Sequence, residues 1–370
     1  MKVAIISPGI PTKEYPLNGI FAFDQAQALN KAGIDVTFLS IDLRSLRKKR
    51  EWGFTNGIKD GIKWYNISIP VGPIGWVHRL LSKAIVCYLY RCAFKNNKRP
   101  DLIHAHFAAE YAYIINQKYG IPYVITEHSS SINRDDLKKD YVSKIQKYYQ
   151  HADKVLSVSS ALAERVQYYT GVDCLVVPNI IDTGLFLGTK KKKHDGFRMV
   201  TTSNLIPLKR TWNILQALSE MQDYNIQLDI IGDGPMKKEL CTYAYEKGMD
   251  DKVCFHGLLK RDKITKLYEQ EDCFILPSSS ETFGVAYVEA MAAGLPVIAT
   301  RCGGPEDFVN DSNGLLIDVD DLAQLKQAIL FMYNHYMDYD ASRIKEDVTM
   351  KFSPEVVANR IKSIYKEILN

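Results

Sequence analysis

A unit of strand, turn and helix recurs along nearly the whole chain and restarts after a single break. Val3–Ser7 is a continuous apolar run closed by Pro8-Gly9, the pattern of a strand buried on both faces. Ile20–Ala32 carries helical spacing (Phe21, Ala22, Gln25, Ala28, Leu29) and stops at Gly33, a C′ glycine. Asp35–Ser40 predicts the next strand, and Asp101–Ala105, Tyr123–Thr126, Lys154–Val158 and Cys174–Val177 continue the series. The break runs from Pro178 to Gly196, and its Lys190–Lys193 run reads as a solvated linker. Strands then follow at Arg198–Thr202, Gln227–Gly232, Val253–His256, Cys273–Pro277, Val297–Thr300 and near Leu315–Ile317. Helices are expected between them at Thr211–Gln222, Met236–Lys247, Arg261–Gln270 and Phe283–Ala293. This alternation predicts an α/β protein of two doubly wound, Rossmann-like domains, 1–180 and 181–352, facing each other across a cleft. The tail, residues 353–370, begins with Ser353-Pro354 and runs with helical spacing through Val357, Ile361, Ile364 and Ile368. Its apolar face is expected to pack on the first domain.

Composition agrees with two globular domains. The 370 residues are 46% apolar and 24% charged, which excludes disorder, collagen-like repeats and a coiled coil. No run approaches the roughly 18–20 apolar residues that span a bilayer, and the start reads as a strand, so a cytoplasmic protein is expected. The seven cysteines form no C-x-x-C pair, which fits reduced thiols better than a disulfide framework or zinc site. No Asp/Glu/His cluster shows metal-ligand spacing, so no metal is expected.

The densest chemical signal runs from Pro277 to Pro296. A strand ends, a polar loop carries Glu281, and a helix is expected to open at Phe283-Gly284. The first N–H groups of such a helix lack internal partners and sit at its positive end, and Gly284 lets a phosphate approach them. Glu289 follows Val285 by four residues, about 6 Å along the axis. That is the reach from a diphosphate to a ribose, whose hydroxyls a carboxylate accepts.

Together these segments resemble the retaining glycosyltransferases of family 4, which have the GT-B fold. The resemblance is carried by the E-x7-E pair Glu281 and Glu289 and by Gly294-Leu-Pro296 after it. Asn18-Gly19, Asp101-Leu-Ile-His104-Ala-His106, Val177-Pro178-Asn179, Ser203-Asn204 to Lys209, Gly232-Asp233-Gly234-Pro235 and Gly303-Gly304-Pro305-Glu306 follow in matching order. The resemblance implies a nucleoside-diphosphate sugar as donor substrate, a saccharide acceptor, and no cofactor or obligatory metal. It implies Lys209 on the donor diphosphate, with Arg210 either helping or capping the next helix. Gly19, Gly232, Glu281, Phe283, Gly284, Val285 and Glu289 complete the donor contacts. His106 matches the active-site histidine, so His106, Lys209 and Glu281 form the catalytic set; His104 is structural, and Asn18 and His128 are acceptor contacts. Asn204 stands where the family usually has an arginine, a departure that removes a bidentate phosphate donor. Two other readings share this fold: a sugar-nucleotide epimerase or hydrolase, and a non-catalytic sugar-nucleotide-binding partner. A dehydrogenase is disfavoured, because no G-x-G-x-x-G follows the first strand.

Charge is unevenly spread. Residues 1–180 hold 24 basic and 15 acidic side chains; residues 181–370 hold 23 and 28. The stretch Arg44–Arg99 alone has 13 basic and 2 acidic residues, interleaved with Trp52, Phe54, Trp76, Leu80 and Leu81 and followed by an expected apolar helix Ser82–Phe94. Such interleaving suits an anionic membrane surface. Nucleic acid is not expected as a partner. The expected setting is therefore peripheral on the cytosolic face of a membrane, with a lipid-linked saccharide as acceptor and surface polysaccharide or glycolipid as product.

Overall fold

The computed structural model describes residues 1–43, 51–70, 75–95, 99–134, 136–186 and 194–370; side chains are described for the same residues except 75–80. The chain divides into two compact units, Met1–Ile180 with Pro354–Asn370, and Ile181–Ser353.

Unit 1 runs β1 (Lys2–Ser7), α1 (Ile20–Lys31), β2 (Asp35–Asp42), β3 (Gly53–Lys59), β4 (Ile62–Ser68), α2 (Gly75–Ala93), β5 (Leu102–His106), α3 (Ala109–Tyr119), β6 (Tyr123–Glu127), α4 (Lys139–Gln150), β7 (Lys154–Ser157), α5 (Ser160–Thr170) and β8 (Leu175–Val176). Its sheet has the order β3-β4-β2-β1-β5-β6-β7-β8. Every pairing is parallel except the β3–β4 hairpin at the edge. The central strands are buried on both faces, which is why their sequences read as unbroken apolar runs. Gly33, at φ +84, follows α1 as the expected C′ glycine.

Unit 2 runs β9 (Phe197–Thr202), α6 (Thr211–Ser219), β10 (Ile226–Ile231), α7 (Lys237–Glu246), β11 (Val253–Gly257), α8 (Arg261–Tyr268), β12 (Cys273–Leu276), α9 (Val285–Ala292), β13 (Val297–Thr300), β14 (Gly314–Ile317), α10 (Leu322–His335) and α11 (Ala341–Phe352). The sheet order is β11-β10-β9-β12-β13-β14, wholly parallel. Counted within the unit this is 3-2-1-4-5-6, the dinucleotide-fold order. Helices α6, α7 and α10 cover one face through Ile214, Leu218, Leu240, Ile329 and Met332. Asp321 and Asp340 cap α10 and α11 by accepting backbone N–H groups.

The last helix, α12 (Pro354–Leu369), returns to unit 1. Val357, Ala358, Ile361, Ile364 and Tyr365 join Ala22, Ala26 and Leu29 of α1 in one buried cluster. Lys362 Nζ donates to Ala32 O at 2.6 Å, fixing α12 to the end of α1.

The basic stretch holds one element that its sequence does not predict and one whose bounds differ from expectation. The hairpin β3–β4 lies within the basic stretch and was not foreseen, because β3 is exposed along most of its length and lacks an apolar stripe. Helix α2 begins at Gly75, not Ser82, and it is not a free apolar helix: Ile85, Val86, Leu89 and Tyr90 are buried while Lys83, Tyr88 and Arg91 are exposed. Arg44–Arg50, Lys98, the Lys190–Lys193 run and the side chains of Trp76 and Leu80 lie outside the described residues.

Candidate active site

Strand order locates the site in unit 2. Chain connections leave the neighbours β9 and β12 in opposite directions, so the loops after them part and open a crevice at their carboxyl ends. Lys209 stands on the first loop and Glu281 on the second. Their side chains meet, Nζ to Oε1, at 2.6 Å, and both are mostly buried. Ser278 Oγ donates to the same carboxylate oxygen at 2.8 Å. Backbone bonds hold the loops together: Ser279 N donates to Leu208 O at 2.9 Å, and Glu281 N donates to Cys302 O at 3.1 Å. The pair is therefore fixed by its scaffold.

Glycines let these loops approach. Gly232 has φ +142, and a Cβ there would lie 1.8 Å from Ser203 O. The β10 loop is thus locked backbone to backbone on the β9 loop, with Leu205 N donating to Asp233 O at 2.9 Å. Gly284, at φ +95, precedes α9, so that helix opens at Val285 and not at Phe283. Glu289 lies one turn into α9, with Arg261 Nη2 3.7 Å from its carboxylate.

Phe283 is 2% exposed and packs against Phe308 and Phe352, so its side chain belongs to the core and only its backbone stands on the loop before α9. Arg210 has a partner that the sequence does not suggest. Its guanidinium forks onto Asp320 at 2.6 and 2.8 Å, and it makes no side-chain cap on α6. Both partners have left-handed backbones, Arg210 at φ +51 and Asp320 at φ +60, an unusual conformation for residues with a Cβ. Asn204 is exposed on the β9 loop. Cys302, beside Glu281, has its thiol pushed up to about 12, chiefly by burial, which favours the protonated form.

No metal-ligand spacing is legible in the sequence, yet Asp229, Cys254 and His256 each bring a ligand atom within 4.8 Å of the others. Asp229 stands opposite Cys254 in the β10–β11 pairing, and a register shift between Ile230 and Ile231 leaves His256 as the extra residue beside them. His256 Nε2 is engaged by Asp229 Oδ1.

Unit 1 has its own switch point, between β1 and β5. Asn18-Gly19 follow β1; Gly19 has φ +69, and a Cβ on it would lie 2.2 Å from Gly9 O. His106 ends β5 and is fully buried. Its Nδ1 lies 2.8 Å from His128 Nε2, at the end of β6, and its Nε2 is buried with no hydrogen-bond partner among the described residues. Burial holds both imidazoles far toward the neutral form, His128 down to about 3 and His106 well below its usual value. His128 is 7% exposed and places its Nε2 on His106, while its Nδ1, like His106 Nε2, has no hydrogen-bond partner among the described residues. His104 is structural as expected, bonded between Tyr365 of α12 and Thr126 of β6.

Sequence reasoning missed Ser278, Asp320 and Phe107. Phe107 follows His106 with φ +57, is 42% exposed, and stacks on His128 at 4.8 Å between ring centres. Ser278 was legible as a hydroxyl in the Glu281 loop. Nothing in the sequence pairs Asp320 with a residue 110 positions away.

Two family descriptions match this chain: "Glycosyltransferase Family 4" over residues 19–185 and "Glycosyl transferases group 1" over residues 188–346. The chain is a family 4 glycosyltransferase. The enzyme is 29% identical over 363 residues to a Bacillus subtilis protein named for teichuronic acid biosynthesis, TuaC, with 90% of each chain covered. It is 28% identical to the N-acetyl-alpha-D-glucosaminyl L-malate synthase of Bacillus anthracis, covering 73% of this chain and 75% of that one. Among solved structures, sucrose-phosphate synthase from Thermosynechococcus elongatus superposes with TM-score 0.80 at 17% identity, over 100% and 99% of the two chains. Anabaena HepE in complex with UDP-glucose gives 0.74 at 19%, over 99% and 100%. These likenesses establish the GT-B fold for the glycosyltransferase. Among the described residues, no helix is long and apolar enough to cross a membrane.

Proposed function

We propose that this glycosyltransferase is a retaining enzyme that moves a hexosyl or N-acetylhexosaminyl group from a nucleoside-diphosphate sugar to a saccharide acceptor. The observation that carries the reading is the Lys209–Glu281 pair at the switch point of unit 2, beside the N-terminus of α9. Lys209 and the first N–H groups of α9 would meet the diphosphate, and Glu281 would accept hydroxyls of the sugar. Glu289 would accept the ribose hydroxyls, with Gly232 and Gly284 allowing close backbone approach. In the reaction the bond from the sugar C1 to the phosphate oxygen breaks, and a bond from C1 to the acceptor oxygen forms on the same face. The departing phosphate oxygen takes the acceptor's proton. Charge grows on that oxygen as the bond breaks, where a fixed ammonium lowers the barrier. This route assigns no step to a metal. His106, with an unpartnered Nε2, would hold a sugar hydroxyl.

The acceptor is proposed to be lipid-linked and the enzyme peripheral on an anionic membrane. Support comes from the 13 basic residues of Arg44–Arg99 and from the exposed rings of Trp52, Phe54 and Tyr88. Phe54 and Tyr88 touch, with ring centres 6.0 Å apart.

A panel of sugar nucleotides, followed by nucleotide release with and without saccharide acceptors, tests the reading. Acceptor-dependent release with retained anomeric configuration is expected. Release that ignores every acceptor would favour a hydrolase. Sedimentation with anionic and neutral vesicles tests the membrane; equal binding to both would leave a soluble acceptor.

A further inference from the structure

On the sheet of unit 2, three side chains of metal-ligating type converge through the backbone itself. Asp229 and Cys254 are partners in the β10–β11 pairing, so their side chains leave the same face of the sheet. His256 follows Cys254 by two residues and shares that face. The bulge at Ile230 and Ile231 bends β11 there and re-aims the imidazole, whose Nε2 meets Asp229 Oδ1. One ligand atom from each residue lies within 4.8 Å of the other two. Around a tetrahedral zinc such atoms stand roughly 3.5 Å apart, so side-chain adjustments of about 1 Å close the set.

A second observation points to a cation. Glu271, after α8, is fully buried, and neither of its carboxylate oxygens meets a hydrogen-bond donor among the described residues. Its carboxyl group lies within hydrogen-bonding range of the Asp229 carboxyl. The guanidinium of Arg198 attracts it and Asp272 repels it, but neither bonds to it. Two neighbouring carboxylates away from water need a proton or a cation between them. We infer that Asp229, Cys254 and His256 bind a zinc-type divalent cation through a carboxylate oxygen, a thiolate and imidazole Nε2, with water in the fourth position. Glu271 lends charge from behind Asp229. Thiolate and imidazole select such a metal over Mg²⁺ or Ca²⁺, which take oxygen ligands. Its role is structural. Gly257, next to His256, accepts Gly232 N through its carbonyl at 2.9 Å, so the cation ties β11 to β10 immediately before the Gly232 loop. None of these residues belongs to the Lys209–Glu281 pair, and the cation takes no step in the sugar transfer proposed above.

Equilibrium dialysis of the full chain against Zn²⁺, after chelator treatment, tests the site, with Co²⁺ as the spectroscopic probe. Saturable Zn²⁺ binding that excess Mg²⁺ does not displace is expected, and bound Co²⁺ should show a thiolate charge-transfer band. Cys254 is exposed, so Cys254→Ser leaves folding out of the question. It should abolish that band and weaken Zn²⁺ binding at least about tenfold. His256→Gln keeps a donor for Asp229 and should weaken binding by a similar factor. Cys241→Ser, on α7, should change neither readout. Hydrogen exchange should slow in β10 and β11 when Zn²⁺ is added. Absence of saturable Zn²⁺ binding overturns the inference and leaves a shared proton between Glu271 and Asp229. A cobalt band that survives Cys254→Ser puts the metal on other cysteines and overturns it equally.

Discussion

The two units place their key groups at equivalent points and fill them with opposite chemistry. Each has a switch point between two parallel strands, β1 and β5 in unit 1, β9 and β12 in unit 2. In unit 2 that point carries ionised partners, Lys209 with Glu281 and Arg210 with Asp320. In unit 1 it carries His104, His106 and His128, all buried and held neutral. Fold thus decides where a site lies, and burial decides what it can bind. Fixed charges at a loop crevice suit a diphosphate. A neutral imidazole with an unused nitrogen suits a hydroxyl.

The most extreme way to separate the units is pH. An unfolded histidine takes up a proton near 6.5, whereas His104 and His128 in folded unit 1 resist it down to about 3. Between those values the unfolded chain binds more protons, so unit 1 loses stability as pH falls through this window. Glu127, buried in the same unit and raised by burial, opposes part of this. Glu271 of unit 2 contributes the reverse slope. Glu271 is raised to about 9, first by burial and then by Asp229, so its contribution is present below about 4.5 and lost as pH rises toward 9. Hydrogen exchange from pH 7 to pH 4 should expose unit 1 peptides to global loss of protection while unit 2 peptides hold. Equal loss in both would break the comparison.

Next in size is Lys209→Ala. Removing a fixed charge aimed at the leaving group costs roughly 10²–10³ in turnover, with little change in nucleotide affinity. An unchanged turnover number would remove Lys209 from the chemistry.

How far the sequence anticipates this depends on where each signal resides. Val3–Ser7 and Cys273–Leu276 are legible because a strand buried on both faces must be apolar throughout. The hairpin Gly53–Ser68 is illegible because an exposed edge strand needs no such run. Glu281, Glu289 and Lys209 are readable from motif company, but their meeting is tertiary, 72 residues apart for Lys209 and Glu281. The buried contact of His106 with His128 and the pairing of Arg210 with Asp320 leave no local trace. The burial of the Phe283 side chain is illegible for the converse reason: an aromatic beside a glycine reads the same whether it faces a ligand or a core.

Glu289→Ala tests the nucleotide side of unit 2. Losing a carboxylate bonded to ribose hydroxyls should weaken nucleoside diphosphate binding by roughly 1.5–3 kcal/mol, measured by calorimetry. A nucleotide whose ribose is deoxygenated should lose most of that difference. If Glu289→Ala binds as wild type does, the E-x7-E spacing has no nucleotide role here.

The smallest effect is the most discriminating. Arg210 lies 32% exposed and Asp320 49%, so their ion pair is worth only about 0.2–1 kcal/mol of stability. The left-handed backbone at Arg210 costs about 1 kcal/mol or more for any residue with a Cβ, and nothing for glycine. Arg210→Ala loses the pair and keeps the strain; Arg210→Gly loses the pair and sheds the strain. Chemical denaturation should therefore find the glycine variant the more stable of the two, by roughly 1 kcal/mol, despite glycine's greater freedom when unfolded. Turnover adds the functional half of the test. With its guanidinium committed to Asp320, Arg210 should cost far less activity on removal than Lys209. If both Arg210 variants instead match Lys209→Ala in turnover, the guanidinium must leave Asp320 for the diphosphate during the reaction, and the fixed-charge picture of unit 2 becomes one of exchange between partners.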